Sequence, residues 1–258
     1  MPAPRLPEHV AALAAELAGL PGACAVVLGG SRATATHRPD SDWDIGLYYR
    51  RSVRPLDPAH VRAFGHPGQV SELGEWGPIM HGGAWLRIDA TSVDVLFRDL
   101  DTVERRVADA QSGRFEVLAQ NGYVVGAPTY VSVAELALCV PIAGELPRPA
   151  YPHALAASAS ERWRGRAAVA LMFAALHARA ADSVCCAGML AQAVLCAAHA
   201  RLGERREWVV NEKGLVRRAG LDAAQPLLVA PGATSADLEK TVAAVSDAIG
   251  VDPLDRGP

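Results

Sequence analysis

The stretch VVLGGSRATATHRPDSDWDIGLYY, residues 26–49, decides how this chain is read. It opens as an apolar run, breaks at Gly29-Gly30-Ser31, and resumes as an apolar segment carrying Asp42 and Asp44. ACAVVLG, 23–29, has the length of a short buried strand, and DWDIGLYY, 42–49, reads as a second. Side chains alternate across a strand, so Asp42, Asp44 and Gly46 share one face. Two carboxylates therefore point the same way from a segment that otherwise belongs to sheet core.

Further along, GGAWLRIDATSVDVLFRDL, 82–100, reads as two strands joined by a tight turn near residues 90–92, with Asp94 on the second. Aspartates gathered on neighbouring strands raise one another's pKa and resist joint ionisation, a conflict that a divalent cation removes. Mg²⁺ prefers oxygen ligands and is commonly shared between carboxylates and nucleotide phosphates. The pattern makes Asp42 and Asp44 metal ligands, and Asp94 either a ligand in a two-metal arrangement or the base for an attacking hydroxyl. The plainer alternative leaves Asp42 as a turn residue after Ser41 and pairs Asp94 with an arginine. The Gly-Gly-Ser turn favours chemistry, because it follows a strand and precedes SRATATH, which can start a helix. Backbone amides, a small hydroxyl and a helix N-terminus together suit a phosphate.

GGSRATATHRPDSDWD resembles the GS, spacer, DxD signature of the DNA polymerase β-like nucleotidyltransferase superfamily, and SVDVLFRDL carries the matching third aspartate. EWGPIMHGGAWLRIDATSVDVLFRDLDTVE and WVVNEKGLV are similar to segments of bacterial, mainly actinobacterial, nucleotidyltransferase-domain proteins, so the resemblance spans much of residues 24–220. The superfamily includes aminoglycoside and lincosamide nucleotidyltransferases, which join a small catalytic αβ domain to a helical C-terminal domain. The resemblance implies that Gly30 and Ser31 contact the triphosphate of ATP or another NTP, with Ser41 as a second phosphate contact. It also implies that Asp42, Asp44 and Asp94 are the catalytic carboxylates and hold two Mg²⁺ ions. Lys213 in NEKG becomes a triphosphate contact from the second half of the chain, where a helix cap or an ion pair with Glu212 is the alternative. One departure stands out: Ala35 occupies a position where many members have glycine. Trp76, His81 and Trp85 either line an acceptor pocket or belong to the core, and Glu161 and Asp182 are further candidates for the cleft.

The rest of the chain sets the frame. Half of the 258 residues are apolar, and the net charge of -3 gives no electrostatic reason to bind long nucleic acid. The five cysteines are odd in number and lack CxxC spacing, which reads as buried reduced thiols. The first 22 residues lack the basic start and apolar run of a signal peptide, and no stretch reaches the roughly 18 uninterrupted apolar residues of a membrane span. The expectation is a cytoplasmic protein without membrane partners.

Helices are expected over 7–19, near 57–65 and from Leu100, and the proline-rich GELPRPAYPH, 144–153, reads as a linker. Beyond it, Ala-rich helical segments cover 154–182 and 183–203, with a shorter piece after NEKG and a last one near 235–249. The fold class is therefore α+β: a small mixed-sheet catalytic domain over 1–145 and a mostly α-helical domain over 146–258. The expected activity is Mg²⁺-dependent transfer of AMP from ATP to a hydroxyl of a small-molecule acceptor, an antibiotic being one such class, with release of pyrophosphate. A protein or tRNA acceptor would depend on how Arg162, Arg164, Arg166, Arg217 and Arg218 are arranged, and a non-catalytic nucleotide-binding regulatory module is the other alternative. GGSRA falls one residue short of the G-x-S-x-G nucleophile elbow of hydrolases. Only about one helix and one strand fit before Ser31, too few for that fold.

Overall fold

The computed structural model describes residues 6–254; residues 1–5, which open the segment read for a leader, and 255–258 lie outside the described residues. The chain divides into two compact units, the first made of residues up to 110, 115–121 and 127–150, the second of 111–114, 122–126 and 151 onward.

In the first unit the apolar runs form strands β1 (Ala23–Leu28), β2 (Trp43–Tyr49), β3 (Gly68–Val70), β4 (Gly83–Ile88), β5 (Thr91–Asp99) and β6 (Val140–Ala143). They make one sheet in the order β3-β4-β5-β2-β1-β6. Only β2 and β5 run parallel; every other pairing is antiparallel. The helices of this unit are α1 (Glu8–Ala18), α2 (Gly30–Ala33), α3 (Pro58–Arg62), α4 (Gly77–Met80), α5 (Leu100–Gln111) and α6 (Val131–Leu138).

The sheet is covered on both faces, which is why IGLYY of β2 is continuously apolar rather than alternating. On one face Ile45, Leu47 and Tyr49 pack with Val93, Val95 and Phe97 of β5 and with Val10, Leu13 and Leu17 of α1. On the other, Tyr48 packs with Ala25 and Val27 of β1, Leu100 and Val103 of α5, and Leu136 of α6. Asp44 and Gly46 share this second face by strand alternation. On β5 the same face carries Asp94 and, four residues on, Arg98, which is 3% exposed. Arg98 donates to both oxygens of Glu135 on α6, at 2.6 and 2.8 Å, and to the carbonyl of Met80 at 2.7 Å. A buried, bidentate pair of this kind fixes the far end of β5 beneath its aspartate.

Several sequence expectations need correction. The second strand begins at Trp43, not Asp42, because the Asp42 carbonyl accepts from the Arg32 guanidinium rather than from the sheet. The helix expected over 57–65 covers only Pro58–Arg62 and stops at Gly65, whose φ is +73°. Of the cysteines, Cys139, Cys186 and Cys196 are buried, but Cys24 and Cys185 are exposed.

The second unit holds α7 (His153–Arg179), α8 (Ser183–Glu204), α9 (Leu215–Arg218), α10 (Gln225–Val229) and α11 (Ser235–Ile249). Helices α7 and α8 pack along their lengths. Their interiors are lined by small side chains, Ala159, Ala167, Ala170, Ala174 and Ala178 on the first and Ala193, Ala197, Ala198 and Ala200 on the second. Such residues let backbones approach closely while keeping high helix propensity. By length and composition α8 is apolar enough to cross a membrane, contrary to the sequence expectation, although half of its most apolar window is buried inside the structure.

Candidate active site

Sheet register brings the acidic residues together. Asp44 of β2 lies directly beside Asp94 of β5, and Trp85 of β4 lies beside Asp94 on its other side. Beyond β2, the amide of Gly29 donates to the Asp44 carbonyl at 2.7 Å. A single row therefore crosses the sheet as Trp85, Asp94, Asp44 and the glycine turn, with neighbouring strands about 4.8 Å apart. Asp44 and Asp94 are half-buried; Asp42 is exposed, one residue ahead of the strand. The donor set is all oxygen.

Gly30 is required by two separate facts. Its φ is +59°, in the left-handed region, and a Cβ built on it would stand 1.8 Å from Oδ2 of Asp44. The bare backbone of the turn is therefore in direct contact with the carboxylate. Gly30→Ala should cost at least about 1–2 kcal/mol for the backbone alone and push the Asp44 side chain from its place. Denaturant unfolding reads the first effect and metal or nucleotide affinity the second.

The helix after the turn is shorter than the sequence suggested. α2 is one turn with Gly29 as its N-cap, closed by the Ala33 amide donating to the Gly29 carbonyl at 3.2 Å. That leaves the amides of Gly30, Ser31 and Arg32 without intrahelical acceptors. A single turn has little macrodipole, so anion binding here falls on those individual N–H groups. The chain then doubles back, with the Thr36 amide on the Ser31 carbonyl at 2.9 Å.

Ala35 sits at that reversal with φ +56°. A left-handed backbone explains why glycine suits this position and why alanine carries strain. Ala35→Gly should stabilise the protein by about 0.5–1 kcal/mol, read as a shift in the unfolding midpoint.

Ser41 has a structural duty: its Oγ accepts the Arg38 amide at 3.0 Å. A hydroxyl that accepts can still donate, so its proton remains available to a phosphate. Arg32 is the residue that the sequence reading missed. Its guanidinium lies 4.1 Å over the Trp43 ring and donates to the carbonyls of Asp42 at 3.1 Å and Ser41 at 2.5 Å. It pins the segment before β2 onto α2, and its place directly after the Gly-Ser pair was the available signal.

No protein-family model matches the chain, and no curated protein matches it. Among solved structures it is similar to a nucleotidyltransferase-like protein from Exiguobacterium sibiricum 255-15. The similarity covers 94% of this chain and 74% of that one, at a TM-score of 0.46 and 9% identity. Residue roles therefore rest on the geometry of this chain itself.

The remaining candidates fall in different places. Trp85 is 52% exposed and stacks on Trp76 with ring centroids 4.6 Å apart, so the pair flanks Asp94 as an aromatic platform. His81 instead serves the fold: its Nε2 bonds to the Tyr49 hydroxyl at 2.9 Å, and burial followed by the nearby Arg98 charge lowers its pKa. In the second unit Lys213 is exposed, its amide donating to Asn211 Oδ1 at 3.0 Å. Glu212 is occupied by the Val124 and Val125 amides. Glu161 is exposed on α7, and Asp182 caps α8.

Proposed function

We propose that the chain is a nucleotidyltransferase that moves AMP from ATP onto a hydroxyl of a small-molecule acceptor. The reading is carried by the register of Asp44 beside Asp94 across the parallel strands, with Gly30 closed against the Asp44 carboxylate. Asp42, Asp44 and Asp94 offer the hard oxygen donors that Mg²⁺ requires, and as like charges they gain from a shared cation. Two Mg²⁺ ions bound there would neutralise the triphosphate and hold it for displacement.

The chain's own groups do the rest. The amides of Gly30 and Ser31 and the Ser41 hydroxyl bind phosphate oxygens. Asp94, on the strand farther from the turn, accepts the proton of the acceptor hydroxyl. That oxygen forms a bond to the α-phosphorus, the bond from the α-phosphorus to its bridging oxygen breaks, and pyrophosphate leaves with the electron pair.

A small acceptor is preferred over RNA for a specific reason. Arg164 pairs with Glu204, Arg217 with Asp222, Arg218 with Glu207, and Arg166 donates to the Val125 carbonyl. Arginines occupied one by one do not form the basic stripe that a polynucleotide needs. Antibiotics are one class of hydroxyl-bearing acceptor to test.

The test is incubation of the full chain with ATP labelled at the α-phosphate, Mg²⁺, and a panel of antibiotics, small metabolites, proteins and tRNA. Label on a small acceptor with equimolar pyrophosphate is expected. Label on tRNA or protein would replace the acceptor class. Nucleotide bound with no label transferred to any acceptor would favour a non-catalytic module.

A further inference from the structure

The turn between α7 and α8 gathers three side chains of different ligand type. His177 belongs to the last turn of α7, Asp182 is the N-cap of α8, and Cys185 lies in the first turn of α8. Their ligand atoms all lie within 4.8 Å of one another, a grouping that the three aspartates of the sheet do not make among the described residues. His177 Nδ1 is 3.3 Å from Asp182 Oδ2. Asp182 Oδ1 accepts the Cys185 amide at 3.1 Å, so one oxygen of the carboxylate holds the helix while the other faces the imidazole. The Cys185 side chain also hydrogen-bonds to Asp182.

We infer that His177, Asp182 and Cys185 form a binding site for a zinc-like transition-metal ion. Bonds of about 2.0–2.1 Å at the tetrahedral angle place two nitrogen or oxygen ligands about 3.3 Å apart, which matches the His177–Asp182 separation of 3.3 Å. One nitrogen, one carboxylate oxygen and one sulfur suit Zn²⁺ or Co²⁺, and the sulfur discriminates against Mg²⁺. Three protein ligands leave the fourth position to water. On binding, the sulfur–metal bond replaces the S–H bond and that proton passes to solvent; the imidazole moves its own proton from Nδ1 to Nε2. The helix cap survives, because it uses the other carboxylate oxygen. The site lies within the second unit and stands independently of the proposed transferase activity.

The experiment uses the full chain, with Co²⁺ and Zn²⁺ as probes and excess Mg²⁺ present. One equivalent of Co²⁺ should bind with a near-ultraviolet thiolate-to-cobalt absorption and the strong visible bands of a tetrahedral ion. Zn²⁺ should displace it. Cys185→Ser should remove the thiolate band, and His177→Gln and Asp182→Asn should each weaken binding at least about tenfold. Asparagine still caps the helix, so loss in Asp182→Asn separates ligation from folding. As a second measurement, Zn²⁺ should protect Cys185 of the unmodified protein from alkylation and leave the exposed Cys24 reactive. A missing thiolate band, a band unchanged in Cys185→Ser, or equal reactivity of the two cysteines with and without Zn²⁺ would overturn the assignment.

Discussion

Asp44→Asn is expected to lower nucleotidyl transfer at least about 10³-fold, equivalent to about 4 kcal/mol of transition-state stabilisation. Asparagine has nearly the shape of aspartate, so it still fits against Gly30 and still accepts hydrogen bonds. Only the charge is lost. The row across the sheet makes that charge matter, since Asp44 stands between the glycine turn on one side and Asp94 on the other. It is the one carboxylate in touch with both the phosphate side and the acceptor side of the proposed reaction. Removing one of two adjacent like charges also relieves repulsion in the metal-free protein, so thermal unfolding without Mg²⁺ should be unchanged or slightly later. Asp42 is exposed and precedes the strand, with only its carbonyl held by Arg32. Asp42→Asn should therefore cost less than Asp44→Asn. The check is pyrophosphate release from labelled ATP with the identified acceptor, alongside unfolding curves. Full activity in Asp44→Asn would remove the basis of the proposed mechanism.

How far these features can be read from sequence depends on how local their causes are. β1, β2 and the β4–β5 hairpin declare themselves through apolar runs and strict alternation, and alternation alone puts Asp44 and Asp94 on their strands. That the two are neighbours is not local. It follows from β5 entering the sheet parallel to β2, with β1 on the other side. β3 and β6 have three and four residues at the two sheet edges, and β6 contains Pro141, so neither carries enough pattern to be seen. Trp85 was legible in part: in AWLRI, Ala84, Leu86 and Ile88 point into the core, which leaves Trp85 and Arg87 on the opposite face. The Arg32 clamp and the shortness of α2 depend on a loop returning ten residues later, which no periodicity records. Ala35 marks the converse case, a residue flagged by its type whose cause, a positive φ, appears only in the folded backbone.

The second large effect concerns acid and the helical unit. His199 of α8 is 2% exposed, stacks on Trp163 with ring centroids 4.3 Å apart, and has no hydrogen-bond partner at either ring nitrogen. Burial, then the charges of Arg166 and Arg218, hold its pKa down to about 3 from 6.5. The folded protein keeps this imidazole neutral where the unfolded chain protonates it. Stability is therefore complete above pH 6.5 and falls as the pH drops from there towards 3, because the unfolded state takes up the extra proton. At about 1.36 kcal/mol per pH unit, the loss is about 2 kcal/mol by pH 5 and about 4–5 kcal/mol by pH 3. The lowered carboxylates, such as Asp237 with its Thr234 bond and Asp182 with its Cys185 amide, act in a lower window, losing stability only as pH falls below their ordinary value of 3.8. His199→Leu isolates the effect. It removes two orphaned nitrogens, a gain of about 1–3 kcal/mol, and gives up ring stacking worth about 0.5–1.5 kcal/mol. The variant should thus match or exceed the parent at pH 7. Urea unfolding followed by tryptophan fluorescence at pH 7 and pH 5 should show the parent losing about 2 kcal/mol more than the variant over that interval. Equal losses in the two proteins would mean that His199 is protonated without cost in the fold, and that its packing against Trp163 opens to water as acid is added.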